Sequence, residues 1–563
     1  MLGYVCKYTP IEIFESLGVE IKRIEPNVSN FHHADTYMHS NMCSFVKSVL
    51  EDVMDNNYEG IILTSCCDSI RRLYDTLVRH FPDKFIYLLD LPRKVNDFAV
   101  TLYEKQIQDM IRAYETFSGK TFSERALQDL TNRRHIAAGL KSAPKRNSDL
   151  RIGLAGARPG NDIRNMLENQ GVDIVFDLTC TGASRDYVLD DEQILNSYAR
   201  ELLNQMPCMR MMEASNRHNF IQGMKDQVDG IIYHTIKFCD IYSYEYSALR
   251  DKKELPVIQV ETDATAQCSG QIRTRVEAFL ESLRASRGMT QTTFRVKKLE
   301  DGHMYVLGID SGSTSTNAVL LNEEKKICAF AVVRTGAKSN DSAERILEQV
   351  LDAVGIRQED LSCIVSTGYG RVSIPFADTN VTEISCHGKG AHYLNPGVRT
   401  ILDIGGQDSK AIKLNEDGEV TDFVMNDKCA AGTGRFLEMM ARTLEISLDE
   451  LGPVSLGWKE DIDISSICSV FAESEVISLI AQNKETADIA HGLHKAIAGK
   501  SISLLKRVGL ESTIMMTGGV AKNVGVVRAL EERLGEKIFI YEEPEIVGAL
   551  GAALYALEKV TAM

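Results

Sequence analysis

Three glycine-rich turns, each preceded by a short apolar run, follow one another in the second half of the chain. They are GIDSGSTSTNAVLL (308–321), ILDIGGQDSKAI (401–412) and MMTGGVAKN (515–523). Small residues in such turns let backbone N–H groups surround phosphate oxygens, and acids at strand ends can hold a hydrated Mg²⁺. One such turn alone is usually a plain strand connection. Three in this order predict a nucleotide-binding α/β domain, although the phosphate-loop pattern G-x-x-x-x-G-K-[ST] is absent.

The length and charge of the chain restrict the remaining possibilities. A chain of 563 residues is expected to hold roughly three to four domains. The formal net charge is −16 and no dense Lys/Arg stripe occurs, which argues against nucleic-acid or anionic-membrane binding. The start, MLGYVCKYTPIEIF, does not resemble a signal peptide, and no run approaches the roughly 20 apolar residues of a membrane span. We expect a cytoplasmic protein.

Apolar runs alternate with helical patterns in the first half of the chain, which predicts an α/β fold there as well. The strand-like runs are YEGIILTSC (58–66), RIGLAGA (151–157), VDIVFDLTC (172–180), DGIIYHTIKFC (229–239) and LPVIQVETD (255–263). The helical stretch 100–145 ends in polar residues and is expected to join two α/β subdomains. The polar segment 283–303 has no apolar period and is interpreted as the main linker. The predicted domains are 1–147, 148–285 and 304–563, with a linker at 286–303.

The trio of glycine-rich turns resembles that of the sugar kinase, actin and heat-shock chaperone superfamily, in which ATP lies between two lobes. The resemblance implies an actin-like fold for the second half and assigns a role to ten residues of the turns. Those expected to contact phosphates are Gly312, Ser313 and Thr314, and those expected to position Mg²⁺ or water are Asp310 and Asp403. Those expected near the γ-phosphate are Gly405, Gly406 and Gln407, and those expected near the adenosine are Gly518 and Gly519.

Two cysteines of the second half each precede a helical segment. Cys429 lies in NDKCAAGTGRFLE, and Cys468 follows 39 residues later in ISSICSVFAESEVISLIA. Thiolates at helix N-termini are stabilised by the free N–H groups and the helix dipole. Two thiolates are too few for a 4Fe-4S cluster, which takes four, but two chains related by a twofold axis can supply them. Spacing alone leaves open whether these are cluster ligands or unrelated packed thiols.

These segments, with STGYGR (366–371), EISCHGKGA (383–391) and DIGGQDSK, closely resemble the ATP-dependent activators of 2-hydroxyacyl-CoA dehydratases and benzoyl-CoA reductases. The resemblance covers nearly all of 304–559. It implies a homodimer with one 4Fe-4S cluster bridging two chains, held by Cys429 and Cys468. It also implies ATP-driven electron transfer at very low potential, with ferredoxin or flavodoxin as the donor. Cys386 is not expected to be a ligand, and Cys328 and Cys363 are expected in the core.

Eight further cysteines occupy the first half, several of them directly after strand-like runs. Ligands in open α/β sheets gather outside the carboxyl ends of strands, so these thiols are expected to converge on one crevice. The eight are Cys6, Cys43, Cys66, Cys67, Cys180, Cys208, Cys239 and Cys268. The cytosol is reducing, so a disulfide framework is not expected. Buried free thiols and metal ligands both remain possible from composition.

The first half resembles the catalytic subunits of 2-hydroxyacyl-CoA dehydratases through TSCCDSIRRLYD (64–75), DGIIYHTIKFCD (229–240), GQIRTRVEAFLESL (270–283) and GYVCKYTPIEIFESLG. Dehydratase subunits use three cysteines for one cluster, which Cys43, Cys67 and Cys239 would match. The additional cysteines resemble those of double-cubane cluster proteins, which implies six ligands, namely Cys6, Cys43, Cys67, Cys180, Cys208 and Cys239. Cys67 is preferred over Cys66 because it directly precedes the Asp of the family's Cys-Asp motif. Cys66 and Cys268 are not expected to be ligands.

Four polar residues close to Cys239 are weaker candidates. They could supply protons or hydrogen bonds to a cluster, or simply pack or face solvent, and the sequence does not decide between these interpretations. They are His234, Lys237, Tyr242 and Glu245.

Together the resemblances imply two Rossmann- or flavodoxin-like subdomains fused to an actin-like ATPase. The implied function is ATP-driven electron transfer from the bridging cluster to a double-cubane, or second 4Fe-4S, cluster that reduces a small molecule. One alternative is a 2-hydroxyacyl-CoA dehydratase with a single acceptor cluster and a fused activator. Another is an actin-like ATPase or kinase without redox chemistry.

Overall fold

The computed structural model describes residues 1–39, 41–139, 148–182, 185–250, 255–263, 265, 269–287, 304–336, 339–427, 430–464 and 469–561. The chain divides into an amino-terminal unit, Met1–Val276, and a carboxy-terminal unit, Glu277–Met563. Most of the predicted linker, 288–303, lies outside the described ranges. No helix within those ranges is both long and apolar enough to cross a membrane.

The amino-terminal unit begins with a four-stranded parallel sheet in the order β2-β1-β3-β4. Its strands are β1 (Leu2–Tyr4), β2 (Ile21–Arg23), β3 (Gly60–Thr64) and β4 (Phe85–Leu89). Its helices are α1 (Ile11–Ser16), α2 (His32–Tyr37), α3 (Ser44–Asp55), α4 (Asp68–His80), α5 (Asp97–Ser118) and α6 (Glu124–Gly139). The strand order reverses between β1 and β3, so the crevice at their carboxyl ends is the expected place for a ligand.

A second parallel sheet repeats this arrangement, in the order β6-β5-β7-β8. Its strands are β5 (Arg151–Gly156), β6 (Asp173–Thr179), β7 (Gly230–Ile236) and β8 (Val257–Thr262). The helices that follow are α7 (Gly160–Asn169), α8 (Ile194–Leu203), α9 (Ser215–Gly223), α10 (Asp240–Arg250) and α11 (Ser269–Ala285). The prediction of two Rossmann- or flavodoxin-like subdomains is confirmed.

The carboxy-terminal unit contains two sheets of related topology. The first has the order β11-β10-β9-β12-β13, and the second has the order β16-β15-β14-β17. Their strands are β9 (Tyr305–Ser311), β10 (Ser315–Asn322), β11 (Ile327–Arg334), β12 (Leu361–Thr367), β13 (Thr379–Asn380), β14 (Thr400–Ile404), β15 (Ser409–Leu414), β16 (Val420–Asn426) and β17 (Ile514–Thr517). In each sheet an antiparallel meander of three strands adds a parallel strand beside its first member. This duplication confirms the predicted two-lobed, actin-like fold.

Helices cover both sheets of this unit. They are α12 (Ser339–Val354), α13 (Glu383–Leu394), α14 (Gly434–Thr443), α15 (Leu448–Ser455), α16 (Ser469–Ala481), α17 (Thr486–Val508), α18 (Val524–Leu534) and α19 (Val547–Thr561). Small residues allow α13 and α19 to pack closely, because a Cβ on Gly551 would lie 1.8 Å from the carbonyl oxygen of Cys386. This close packing fixes the position of α13, which carries two residues of the site described below.

Cys328 corrects one expectation from the sequence. It was expected in the core but is exposed on β11, whereas Cys363 on β12 is buried as expected. The side chains of β11 alternate between partly buried and exposed because β11 is the edge strand of its sheet. An apolar run on an edge strand looks like a buried strand in sequence.

Candidate nucleotide cleft and thiol cluster

The three glycine-rich turns of the carboxy-terminal unit meet around a cleft of about 600 Å³. Nine of the ten residues predicted from the turns line it, namely Asp310, Gly312, Ser313, Thr314, Asp403, Gly405, Gly406, Gly518 and Gly519. The tenth, Gln407, is half-buried and does not line the cleft. The turns that follow β9 and β14 approach closely, because a Cβ on Gly406 would lie 1.9 Å from Thr314 Oγ1. The two lobes therefore present backbone amides and small side chains to one shared space.

A buried lysine surrounded by carboxylates forms the floor of this cleft. The Nζ atom of Lys410 lies 2.7 Å from Asp408 Oδ2, 3.2 Å from Asp403 Oδ2 and 3.6 Å from Glu383 Oε1. Burial lowers the pKa of Lys410, but these acids raise it further, so the ammonium stays charged. Asp310 also lines the cleft. Three acids lie within 4.0 Å of one lysine, so the carboxyl groups outnumber the ammonium.

The two acids predicted to position Mg²⁺ differ in their protonation. Burial raises the pKa of Asp310 to about 8, and the negative charges of Glu383 and Asp403 add to this effect. Burial also tends to raise the pKa of Asp403, but His387 and Lys410 lower it to about 2. The hydroxyl of Thr517 donates a hydrogen bond of 2.9 Å to Asp403 Oδ1. Asp403 is therefore ionised at neutral pH, and a cation that displaced the proton of Asp310 would gain a second carboxylate.

The unsatisfied oxygens of the cleft fit a divalent cation. Neither carboxylate oxygen of Glu383 accepts a hydrogen bond from a described residue, since the Lys410 ammonium lies 3.6 Å from Oε1. Buried carboxylate oxygens without donors are costly, and a hydrated Mg²⁺ is a hard cation that prefers such ligands. The residues present therefore suit the predicted Mg²⁺.

Seven cysteines of the amino-terminal unit gather at the carboxyl ends of its two sheets. Cys6 follows β1 and Cys66 and Cys67 follow β3, on either side of the point where the strand order of the first sheet reverses. Cys180 directly follows β6, and Cys239 follows β7. Two more come from loops, Cys43 at the start of α3 and Cys208 after α8. All seven are free thiols and half-buried.

The seven thiols are close enough to affect one another. The Cys66 thiol hydrogen-bonds with those of Cys6 and Cys67, and this interaction lowers the pKa of Cys67 to about 6. Cys180 and Cys208 form a second hydrogen-bonded pair, and hydrogen bonding to Cys180 lowers the pKa of Cys208. Burial raises the pKa of Cys43 to about 11, and the nearby thiol of Cys239 contributes. The sequence expectation that the eight thiols converge agrees with this arrangement for seven of them, and Cys268 lies outside the described residues.

Tyr242 lies between two of these thiols. The Cys180 thiol donates a hydrogen bond of 3.0 Å to its hydroxyl, and Cys208 Sγ lies 3.2 Å from the same oxygen. Behind it, the fully buried Arg217 donates to both oxygens of Glu245 at 2.7 and 3.0 Å. Its guanidinium lies 5.9 Å from the Tyr242 ring centroid. The sequence did not decide whether Tyr242 and Glu245 interact with a cluster or simply pack. In the structure Tyr242 contacts two thiols directly, and Glu245 binds Arg217, which lies behind Tyr242.

The thiols do not form a site for a single metal ion. Across the described part of the chain, no three His, Cys, Asp or Glu side chains are placed to hold one ion. In a multinuclear iron–sulfur cluster the thiolates bind different irons, so their sulfurs need not meet at one point. Clustered thiols also suit iron–sulfur chemistry better than Mg²⁺ or Ca²⁺, which prefer oxygen ligands. The donor set therefore fits the predicted cluster.

Comparison with known proteins finds a matching family model for each half of the chain. The sequence model of the BadF/BadG/BcrA/BcrD ATPase family matches residues 307–556. The chain is 49% identical over 255 residues to an activator of lactoyl-CoA dehydratase from Anaerotignum propionicum, an alignment covering 45% of this chain and 98% of that protein. It is 43% identical over 256 residues to a 2-hydroxyisocaproyl-CoA dehydratase activator from Clostridioides difficile, covering 46% and 96%. The chain belongs to the BadF/BadG/BcrA/BcrD ATPase family.

The amino-terminal half of this ATPase-family chain matches a second family. The model of the 2-hydroxyglutaryl-CoA dehydratase D-component covers residues 6–135 and 130–283. The two matches are consistent with the fusion of an activator-type ATPase and a dehydratase-type half that the sequence motifs predicted. Among solved structures, component A of (R)-2-hydroxyglutaryl-CoA dehydratase from Acidaminococcus fermentans is 44% identical, covering 46% of this chain and 99% of that chain with a TM-score of 0.45.

Several cleft residues of this ATPase-family chain were not assigned a role from the sequence. They are Glu383, His387, Asp408 and Lys410, all of which line the cleft. The His387 Nε2 atom lies 3.9 Å from both Asp310 Oδ2 and Asp403 Oδ1, between the two lobes. All four occur in the motifs EISCHGKGA and DIGGQDSK. The motifs contain these four residues, but the sequence did not show which of their side chains lie close together in the fold.

The loop before α14 connects the cleft to the first predicted cluster cysteine. The backbone N–H groups of Gly434 and Arg435 donate hydrogen bonds of 2.9 Å to the carbonyl oxygens of Gly405 and Gly406. The ammonium of Lys500 donates to the Ala431 carbonyl in the same loop. Cys429 and Cys468 themselves lie outside the described residues. The start of α14, directly after this loop, is therefore bonded to the turn expected to face the γ-phosphate.

Helix α11 contains the last residues of the dehydratase match, and its residues from Glu277 onward belong to the carboxy-terminal unit. Glu281 on α11 accepts a 2.5 Å hydrogen bond from the hydroxyl of Thr382, the residue that caps α13, and a second from Ser385. Glu277 lies 2.6 Å from Arg371, which donates a 3.1 Å hydrogen bond to the Gly368 carbonyl. The last helix of the dehydratase match thus contacts the helix that carries Glu383.

Proposed function

We propose that this chain couples ATP hydrolysis to low-potential electron transfer from its carboxy-terminal unit to an iron–sulfur centre in its amino-terminal unit, which then reduces a small molecule. The observation that carries this proposal is the convergence of seven thiols in a dehydratase-type half that shares its chain with an activator-type ATPase. An iron–sulfur cluster bound there would supply one-electron reduction at low potential. The proposed ligands are Cys6, Cys43, Cys67, Cys180, Cys208 and Cys239, which would hold a double-cubane cluster.

In the cleft, the residues of the three turns would contact different parts of Mg-ATP. The amides of Gly312 to Thr314 and of Gly405 and Gly406 would bind phosphates, and Gly518 and Gly519 would lie beside the adenosine. Asp310 and Asp403 would hold a hydrated Mg²⁺ with Glu383 as an additional acceptor. Because Gly434 and Arg435, the first residues of α14, donate to the Gly405–Gly406 turn, the loss of a phosphate from this turn would shift the start of α14 and the loop that precedes it. We propose that this bonding couples nucleotide state to the position of Cys429.

Cys429 and Cys468 supply only two of the four ligands of a 4Fe-4S cluster, so the proposal includes a homodimer. The surface of α16, which begins directly after Cys468, supports this inference. Phe471 is 67% exposed and Ile477 is 54% exposed on this helix. Large apolar side chains at such exposure next to a proposed shared cluster suit contact with a second copy of the chain.

The remaining partners follow from this chemistry. A ferredoxin or flavodoxin in the cytoplasm would supply the electron to the bridging cluster. Because donor and acceptor halves share one chain, the acceptor is present at a high effective concentration, which separate proteins would lack. The dehydratase match favours a second candidate function, a 2-hydroxyacyl-CoA dehydratase with one conventional acceptor cluster.

Iron content separates these functions. Protein purified without oxygen is expected to hold about ten Fe per chain, because a double cubane contributes eight and half of a bridging 4Fe-4S cluster contributes two. A dehydratase with one acceptor cluster would hold about six, and an ATPase without redox chemistry none. The measurement is iron and sulfide analysis of the dimer together with its EPR spectrum. Removing both Cys180 and Cys208 by substitution to alanine should lower the iron content only if the larger cluster is present.

A further inference from the structure

Lys7 stands next to Cys6 in a setting unlike that of the other buried lysines. Its side chain is 2% exposed, and its Nζ atom donates a 2.6 Å hydrogen bond to the Met206 carbonyl. Lys47 and Lys410 are also buried, but Lys47 pairs with Asp35 at 2.5 Å and Lys410 pairs with three acids. No carboxylate of a described residue lies within 4.0 Å of the Lys7 ammonium. Lys7 is therefore the buried lysine of the described chain that lacks an acidic partner.

A buried ammonium without a counter-charge is unfavourable by several kcal/mol. Burial lowers the pKa of Lys7, and the guanidinium of Arg217 lowers it further, whereas the thiols of Cys208, Cys180 and Cys6 raise it. The ammonium therefore needs a negative charge at these thiols to stay protonated. Arg217 is already neutralised by Glu245 and has the same sign as Lys7, so it offers no compensation. The aromatic ring of Tyr8, 5.5 Å away, offers only a weak one. The groups left to balance the charge are the thiols.

We infer that Lys7 is the counter-ion of the anionic metal–thiolate group held by the cysteine cluster, and that it raises the reduction potential of that group. The inference rests on the proposed function. An ammonium has three N–H donors, and the Met206 carbonyl occupies one, which leaves two for sulfur. Adding one electron to a thiolate-bound cluster increases its negative charge by one, while the electron donor loses one electron. A fixed cation nearby stabilises the reduced form more than the oxidised form.

The test is an anaerobic redox titration of the full chain, in which dithionite is the reductant and EPR follows the amino-terminal centre. Lys7→Met removes the charge but keeps a side chain of similar length. We expect it to retain the iron and to shift the midpoint potential to a more negative value. At a fixed solution potential the ratio of reduced to oxidised centre should fall about tenfold, which for a one-electron couple corresponds to about 59 mV.

Two further variants separate charge from position. Lys7→Arg keeps the positive charge, and its midpoint potential should stay close to that of the unmodified protein. Lys47→Met removes a buried lysine of the same subdomain whose charge Asp35 already balances, and it should leave the potential unchanged. If Lys7→Met does not fold, Lys7→Gln takes its place in the titration.

Each outcome decides one question. An unchanged midpoint in iron-loaded Lys7→Met overturns the role of Lys7 and leaves the proposed function standing. If Lys7→Met fails to bind iron while Lys7→Arg binds it, the counter-ion role is supported. If both fold but neither binds iron, the position of the amine and not its charge is what matters, and the inference fails. An unmodified chain without iron after anaerobic purification would overturn the proposed function itself.

Discussion

Cys429→Ala is expected to remove the bridging cluster and to abolish ATP-driven electron transfer while leaving the ATP cleft intact. Each bridging 4Fe-4S cluster would lose two of its four ligands, so the iron content should fall by about two Fe per chain. The amino-terminal thiols are unaffected by the change, so the acceptor centre should keep its EPR signal under direct chemical reduction. The measurement is ATP-dependent reduction of the acceptor centre, which should drop to the level seen without ATP.

The matched control for this variant is Cys328→Ala, because Cys328 is an exposed free thiol on β11 of the same unit. It should behave like the unmodified chain in iron content, in ATP hydrolysis and in electron transfer. Retention of the bridging cluster and of ATP-dependent reduction in Cys429→Ala would show that the electron enters elsewhere, and the role assigned to this loop would then be abandoned.

Lys410→Met is expected to destabilise the carboxy-terminal unit by about 3–5 kcal/mol, because it leaves Asp403, Asp408 and Glu383 without their shared cation. Removing one member of a buried ionic group exposes the full cost of desolvating the others. The measurement is the free energy of unfolding in urea, followed by circular dichroism. Adding Asp408→Asn to the same chain removes one of the stranded charges and should recover part of the loss.

Lys413→Met provides the control on the same strand, β15. Lys413 pairs with Glu511 on a half-exposed surface, and such pairs contribute about 0–1 kcal/mol. Its loss should therefore hardly change the free energy of unfolding. If both substitutions lowered the free energy of unfolding equally, the buried acids around Lys410 would not explain why this lysine is needed.

The longer strands of the amino-terminal unit were mostly predictable from the sequence, whereas its three-residue strands were not. All five strand-like runs of the first half became strands, and β3 and β7 are entirely buried. The strands β1 and β2 were missed because three residues are too few to show an apolar period, and β4 was missed although its sequence, FIYLL, is entirely apolar. Cys328 was wrongly expected in the core because edge strands combine an apolar composition with a solvent-facing side.

The residues of the site also differ in predictability, because some are positioned by their own turn and others by the packing of distant segments. The residues of the three glycine-rich turns were predictable because each turn carries its own backbone chemistry. Glu383 and His387 were not predictable, because they reach the cleft from α13, whose position depends on the close packing of Gly551 against Cys386. Lys7 was missed because a lysine in sequence is normally a surface residue. Only its burial and the absence of a described acidic partner distinguish it.

In the proposed function, ATP hydrolysis drives an electron from one half of this chain to the other. The most direct test is the EPR spectrum of the anaerobic, dithionite-treated dimer before and after addition of Mg-ATP. We predict that the signal of the reduced amino-terminal centre increases with Mg-ATP and does not increase with Mg-ADP. Identical spectra under the three conditions, in protein that carries its full iron content and hydrolyses ATP, would contradict the claim.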